Sequence, residues 1–370
     1  MELEGARSRE SPEYVRVSLA AAITLGMRPG SFFRGAKLYC LNLLLTYDDG
    51  CIGRCAYCGL SRSRVLVSEW VERSFIRVDW PVVSLKEVVE RVAEGVCQHV
   101  ERACVSMVTH RRARRDTLKV VEAVKSVIDE VSALISPTII DKEWLWSLES
   151  AGVDKVGVAV DAATPELFEK LRGRGVGGPH RWEKYWETVE ESVEVFGAFN
   201  VGIHLIVGLG EMEREAVRVI QTAYDIGALT HLFSFFPEAG SLLESKPQPP
   251  IGSYRRVQLA RYLINKGLAR YEDMGFDQRG RIMDFGVPES VYVKVVESGL
   301  PFMTSGCSSK NRENACNRPF SDFTPYQAYL GEIRNYPFKP GKDDVEIIKR
   351  QLGDYSDTPV KVWVEEAIDD

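Results

Sequence analysis

At 370 residues, with 45% hydrophobic and 27% charged side chains, the chain has the balance of a globular protein and room for one large α/β barrel or two ordinary domains. A net charge of -6 offers no basic excess to neutralise phosphates, so no nucleic-acid partner is expected. The longest mainly apolar stretch near the start, Val17 to Met27, is too short to span a bilayer and lacks the flanks of a cleavable signal, which predicts a cytoplasmic protein with no membrane partner.

Taken in chain order, residues 1–30 read as an N-terminal helical extension. From residue 31 to 304, short β-branched runs alternate with amphipathic ones, the pattern of βα units around a parallel sheet. Strands are expected at Leu38–Thr46, Ala103–Thr109, Val131–Ser136, Lys155–Val160, Val201–Val207 and His231–Phe236, with two shorter runs at Arg281–Phe285 and Pro301–Thr304. Eight runs fit an α/β fold of the (β/α)8 TIM-type barrel kind, partial at strands 7 and 8 if the last two runs fall short. Helices are expected between them, among them Ser84–Gln98, where Ser84 and Glu87 form a capping-box pattern. The basic run Arg111, Arg112, Arg114 and Arg115 reads as a solvated loop and first helical turn. Residues 305–370 read as a Pro-, Asn- and Tyr-rich tail over the barrel mouth, ending in a charged helix near Asp343–Leu352.

Eight cysteines in a chain of this size are not a secreted disulfide framework, and their clustering points to metal or redox chemistry. Cys51, Cys55 and Cys58 form a C-x3-C-x2-C triad directly after the first strand. Three thiolates on a 4Fe–4S cluster leave one iron short of a protein ligand, and that iron can chelate the amino and carboxylate groups of S-adenosyl-L-methionine (AdoMet, or SAM). A zinc ribbon would want a second paired-cysteine knuckle, and no other C-x2-C occurs.

Barrel active sites lie at the C-terminal ends of strands. Asp161 ends the fourth run, and the Gly-rich turn Ile206-Val-Gly208-Leu-Gly210-Glu211 ends the fifth. Of the other cysteines, Cys97 lies in an amphipathic run and reads as helix packing. Period-two alternation sets Cys104, Ser106 and Val108 on one face of the second strand, and Cys40 lies early in the first. Both could be ligands or small core residues. Cys307 and Cys316 sit in a polar, Gly-containing loop, an unusual place for core filler.

The triad, with Tyr57 just before its last cysteine, resembles the signature of the radical SAM superfamily. The turn from Ile206 to Glu211 resembles the I-x-G-x-x-E element with which its members contact adenine, and Arg172 resembles residues that bind the AdoMet carboxylate. The barrel resembles the biotin synthase and lipoyl synthase branch, through the triad, Arg102-Ala-Cys104, the stretch from Val158 through Asp161 to Thr164-Pro-Glu, and the Gly-rich turn. It departs from biotin synthase at the cysteine-free third strand and at Gly202, where that enzyme has a further cysteine. Thr304-Ser-Gly-Cys307 and Cys316-Asn-Arg-Pro-Phe320 resemble the tail element of the split, two-component lipoyl synthases often labelled biotin-synthase-like, although residues 308–315 replace their two-residue spacer.

This resemblance implies a sulfurtransferase. One 4Fe–4S cluster and AdoMet would generate a 5′-deoxyadenosyl radical, and a second, auxiliary cluster with Cys104, Cys307, Cys316 and Cys40 as its candidate ligands would donate sulfur to a protein-bound octanoyl chain, forming the lipoyl cofactor. An octanoylated lipoyl carrier protein as substrate, a partner radical SAM subunit and an electron donor such as ferredoxin follow from the same resemblance. Ser308 and Arg318 are weaker candidates for the auxiliary site, and no catalytic side chain is assigned. The rival expectations are a radical SAM enzyme of carbon-skeleton rearrangement or ring formation without sulfur transfer, biotin-synthase-like sulfur insertion, and a non-catalytic iron–sulfur protein.

Overall fold

The computed structural model describes residues 8–66, 68, 74–75, 78–319 and 323–357. Residues 1–7 of the expected extension, Phe320 of the tail element and residues 358–370 lie outside these. In chain order the strands are β1 (Tyr14–Val17), β2 (Cys40–Leu45), the short pair β3 (Ser74–Phe75) and β4 (Val78–Asp79), then β5 (Val82–Ser84), β6 (Arg102–Ser106), β7 (Glu130–Ile135), β8 (Val153–Asp161), β9 (Val201–Val207) and β10 (Ala228–Ser234), and a second short pair, β11 (Gly275–Phe276) and β12 (Ile282–Asp284). Eight of them form one sheet in the order β10–β9–β8–β7–β6–β2–β1–β5.

The stretch from β10 to β2 is wholly parallel and comprises the first six runs expected from the sequence. These runs are rich in Val, Ile and Leu because parallel strands are covered on both faces, and every residue of β2 is buried. Helices Ala113–Lys125, Lys142–Ser150, Trp182–Phe196, Glu213–Asp225 and Ile251–Asn265 alternate with the strands. Local caps set several boundaries: Asp141 accepts the Trp144 N–H at 2.9 Å and Thr164 the Leu167 N–H at 3.2 Å. Ser84 also stands at an N-cap and is the last residue of β5, but its hydroxyl makes no capping bond.

The other two runs do not join the sheet. The seventh supplies β12, which pairs antiparallel with β11 and has only Ile282 buried. The eighth forms the 3₁₀ turn Leu300–Phe302, where Pro301 has no N–H for a ladder. The fold is therefore α/β with a mostly parallel sheet, and among the described residues the barrel is left open.

Two placements differ from expectation. The N-terminal region is not wholly helical: β1 alternates half-buried and buried residues, a period-two pattern, and pairs antiparallel with β2 and β5 before the short helix Leu19–Thr24. The tail, expected over the barrel mouth, has one part, residues 309–317, anchored at the opposite end, while Arg334 bonds to Ser234 at the C-terminal end of β10. Asn317 bonds to the backbone of Lys37 and Tyr39, just before β2. Ser309 and Arg312 bond to Glu101, and the Lys310 N–H to Glu130, where β6 and β7 begin. Backbone and carboxylate groups at the N-terminal ends of these strands hold residues 309–317 as a floor. No described helix is long and apolar enough to cross a membrane.

Candidate active site

The triad loop follows β2 and is held down by neighbouring turns. The Ala56 N–H donates to Leu171 O at 2.7 Å, and the Leu243 N–H donates to Ala56 O at 3.1 Å. Cys55 packs with Ala56, Tyr57, Leu171, Leu209 and Phe235, and burial raises its thiol to about 11 and pushes that of Cys58 up as well. Backbone N–H groups already point at two of the sulfurs: Gly53 N to Cys51 Sγ and Leu60 N to Cys58 Sγ, each 3.3 Å. N–H donors at the sulfurs and three thiols facing one cavity fit a cluster that takes one thiolate per iron. No group of three His, Cys, Asp or Glu among the described residues is gathered around a single-ion position.

Tyr57, Asp161 and Arg172 meet beside the triad. Asp161 turns the chain at the end of β8 with φ of 64°, a conformation Asp tolerates better than most residues. Its Oδ2 accepts from Tyr57 Oη at 2.7 Å and from Arg172 Nη1 at 2.9 Å. Arg172 is only 5% exposed, so it is no surface arginine. It donates further to the carbonyls of Ala159 and Val160 and to Tyr185 Oη at 2.9 Å. Its two terminal nitrogens thus serve the protein, and among the described residues only Nε, which is buried, lacks a partner.

At the end of β9, Ile206 packs against the Cys55–Tyr57 group. Glu211 folds back on its own turn and accepts the N–H of Gly208 at 2.5 Å and of Gly210 at 3.0 Å; burial raises its carboxyl. Gly208 has φ of 109°, and a Cβ there would stand 2.6 Å from Pro249 Cδ, so glycine is required on both counts.

A cavity of about 290 Å³ runs beneath the triad and reaches Cys104, Cys307 and Cys316. β2 and β6 place Asn42 opposite Cys104, with Cys40 one step deeper, opposite Arg102. Cys316 enters from the floor, accepting from Asn42 Nδ2 at 3.7 Å and from the thiol of Cys40. That bond and the nearby Arg318 lower Cys316 to about 7, whereas burial raises Cys104 to about 12 and Cys307 to about 11. Cys40 is fully buried behind the cavity wall. Four thiols thus cluster, and their chemistry suits a second iron–sulfur group. Arg318 lines the cavity while Ser308 does not, and Cys97 is core, in the turn after helix Leu85–Ala93.

Three histidines in the cavity wall went unnoticed in the sequence. His204 and His231 are register partners on β9 and β10, with ring centroids 6.0 Å apart; burial lowers them to about 4 and about 3. His180 precedes helix Trp182–Phe196 and is lowered to about 3 by burial and Arg172. The strand alternation could have flagged the first two, whereas His180 lies in a loop with no periodic signal.

Three thiols facing one cavity at the strand ends of a mostly parallel α/β sheet would suit a cluster that keeps one iron open. Residues 46–223 match the model of the radical SAM superfamily, so the chain carries a radical SAM domain. That span contains the triad, Asp161, Arg172 and the Gly-rich turn, but not Cys40, Cys307 or Cys316.

No curated protein matches the chain. Solved structures similar to it include HydG, a maturase of the [FeFe]-hydrogenase (13% identity over 67% of this chain and 53% of that one, TM-score 0.49). They also include the radical S-adenosylmethionine methyltransferase TsrM from Kitasatospora setae (16% identity, 68% and 46%, TM-score 0.37) and methylornithine synthase, PylB (13%, 75% and 85%, TM-score 0.44). The chain thus spans about half the length of the first two, 53% and 46%.

Proposed function

We propose that this chain is a radical SAM enzyme that inserts sulfur into the octanoyl chain of a lipoyl carrier protein. The observation that carries the reading is the single cavity with the triad at one end and Cys104, Cys307 and Cys316 at the other. Its wall between them is largely apolar, with Leu44, Val108, Leu134, Ile206 and Phe233, which suits an alkyl chain. When bound, a 4Fe–4S cluster on Cys51, Cys55 and Cys58 with AdoMet supplies the radical that removes hydrogen from an unactivated carbon, and an auxiliary cluster on the lower thiols supplies the sulfur.

The protein's own part is to orient and to exclude. Arg172 and Asp161 lock Tyr57 and the triad loop, the Glu211 turn shapes the wall where adenine would lie, and the tail floor shuts water out beneath the lower thiols. A partner radical SAM subunit, a ferredoxin-like electron donor and a cytoplasmic setting belong to the same proposal.

Iron and sulfide content after anaerobic reconstitution tests it. About eight irons per chain, falling to about four in Cys307→Ala/Cys316→Ala, is the expected result. About four in both would remove the auxiliary cluster and leave a radical SAM enzyme without sulfur transfer. Incubation with octanoylated carrier protein, AdoMet and reductant, with and without a candidate partner subunit, then reads sulfur insertion directly. AdoMet cleavage to 5′-deoxyadenosine without sulfur in the chain would overturn the lipoyl assignment alone.

A further inference from the structure

His180 stands at the Cys51 corner of the triad. It is 2% exposed and lines the cavity. A Cβ built on Gly53 would lie 3.0 Å from His180 Nε2 and 3.2 Å from Cys51 Sγ, so imidazole and thiol flank one point and glycine is what lets them approach. The Gly53 N–H already donates to that sulfur at 3.3 Å.

The far side of the ring offers Nδ1 two hydroxyl donors. Nδ1 lies 2.6 Å from Thr138 Oγ1 and 3.0 Å from Tyr185 Oη. Arg172 Nη2 donates to that same phenol oxygen at 2.9 Å, and a guanidinium has donors only. The Tyr185 hydrogen must therefore point elsewhere, and Nδ1 is an acceptor within reach. Thr138 Oγ1 and Tyr185 Oη are bonded to each other as well, so either hydroxyl can supply the hydrogen that Nδ1 accepts. With Nδ1 accepting, the single proton of the neutral ring sits on Nε2, facing the triad, where no protein acceptor is bonded to it among the described residues.

We propose that His180 is a positioning residue of the triad centre, held as the Nε2–H tautomer by Tyr185 and Thr138 so that this N–H is directed at the Cys51 sulfur edge of the bound cluster. Hydrogen bonds to cluster sulfurs stabilise the more negative, reduced state and so raise the reduction potential. The chain from Asp161 through Arg172, Tyr185 and His180 then links the residue that holds Tyr57 to the electronics of the cluster. The inference depends on the triad cluster and not on the lower cysteines or on sulfur insertion.

The test is the midpoint potential of the triad cluster in full-length protein, reconstituted anaerobically in a Cys307→Ala/Cys316→Ala background without AdoMet. His180→Gln keeps an amide N–H near the Nε2 position, whereas His180→Asn keeps one only near Nδ1, and His180→Phe keeps neither. With about four irons in each, the Phe and Asn variants should be about tenfold harder to reduce, about 59 mV for one electron, and the Gln variant close to the parent. Equal potentials across the four proteins would overturn the proposal. If the Phe variant does not hold iron, equality of Gln and Asn has the same force. A second reading comes from ¹⁵N shifts of His180 in the cluster-free chain: a protonated Nε2 is expected, and a protonated Nδ1 would overturn the tautomer assignment. A failure of all variants and the parent to bind iron would instead count against the triad itself.

Discussion

The backbone N–H of Cys316 donates to the carbonyl of Cys307 at 3.0 Å, although residues 308–315 lie between them. The intervening segment leaves the floor of the barrel and returns to the place it left. Gly306 permits the closure, since a Cβ there would meet Cys316 O at 2.2 Å. The bond has the donor and acceptor of a four-residue turn, so the long loop reproduces the geometry of a two-residue spacer.

Replacing residues 308–315 by a two-residue linker should therefore leave iron content after reconstitution unchanged. The bonds of Ser309 and Arg312 to Glu101 and of the Lys310 N–H to Glu130 would be lost, leaving Asn317 as the anchor, and the exposed ion pair among them contributes less than about 1 kcal/mol. Iron analysis with a thermal melt checks both parts. Gly306→Ala should lower both iron content and the melting temperature, since the added Cβ would meet backbone at 2.2 Å.

Arg172→Met should be among the costliest single changes in the barrel. It strands Asp161 and two strand-end carbonyls in a buried setting, a loss on the order of 3 kcal/mol. Denaturant unfolding measures it, and Arg172→Lys should recover only part, since one ammonium cannot fork between Asp161 and Tyr185.

Gly202 is the position at which biotin synthase carries a cysteine. A Cβ there would lie 2.5 Å from His231 Nε2, so Gly202→Ala should destabilise by about 1–3 kcal/mol. His231→Ala should relieve that penalty in a double-mutant cycle. Strict additivity of the two would show that the imidazole is not what fills the space.

Gly208→Ala should weaken AdoMet binding at least tenfold while the triad still takes up iron. The strain at φ of 109° and the contact with Pro249 must distort the turn that Glu211 closes. Equilibrium binding of AdoMet to reconstituted protein reads the affinity, and unaltered affinity would detach this turn from the cofactor.

Strand positions were legible wherever burial on both faces left an apolar run: β9 falls on Val201–Val207 as expected. β1 escaped notice because four residues of alternation precede a helix, and the two signals merge. The triad, Asp161 and the Glu211 turn were legible because their spacing is local. What spacing could not give was the end of the barrel to which the tail goes. That is decided by Asn317 against Lys37 and Tyr39 and by Glu101 and Glu130 at strand starts, contacts between residues far apart in the chain. His180 was hidden for the same reason, its partners coming from Thr138 and Tyr185.

The floor made by residues 309–317 also sets an order of assembly. The triad loop has its partners once residues up to Leu243 have folded, but Cys307 and Cys316 reach the sheet only after the C-terminal segment has been made and Asn317 has docked. A nascent chain stopped before residue 305 would have the upper thiols in place and an open base. On the proposed reading, a cluster on the lower thiols would have to be in place before or as residues 309–317 dock.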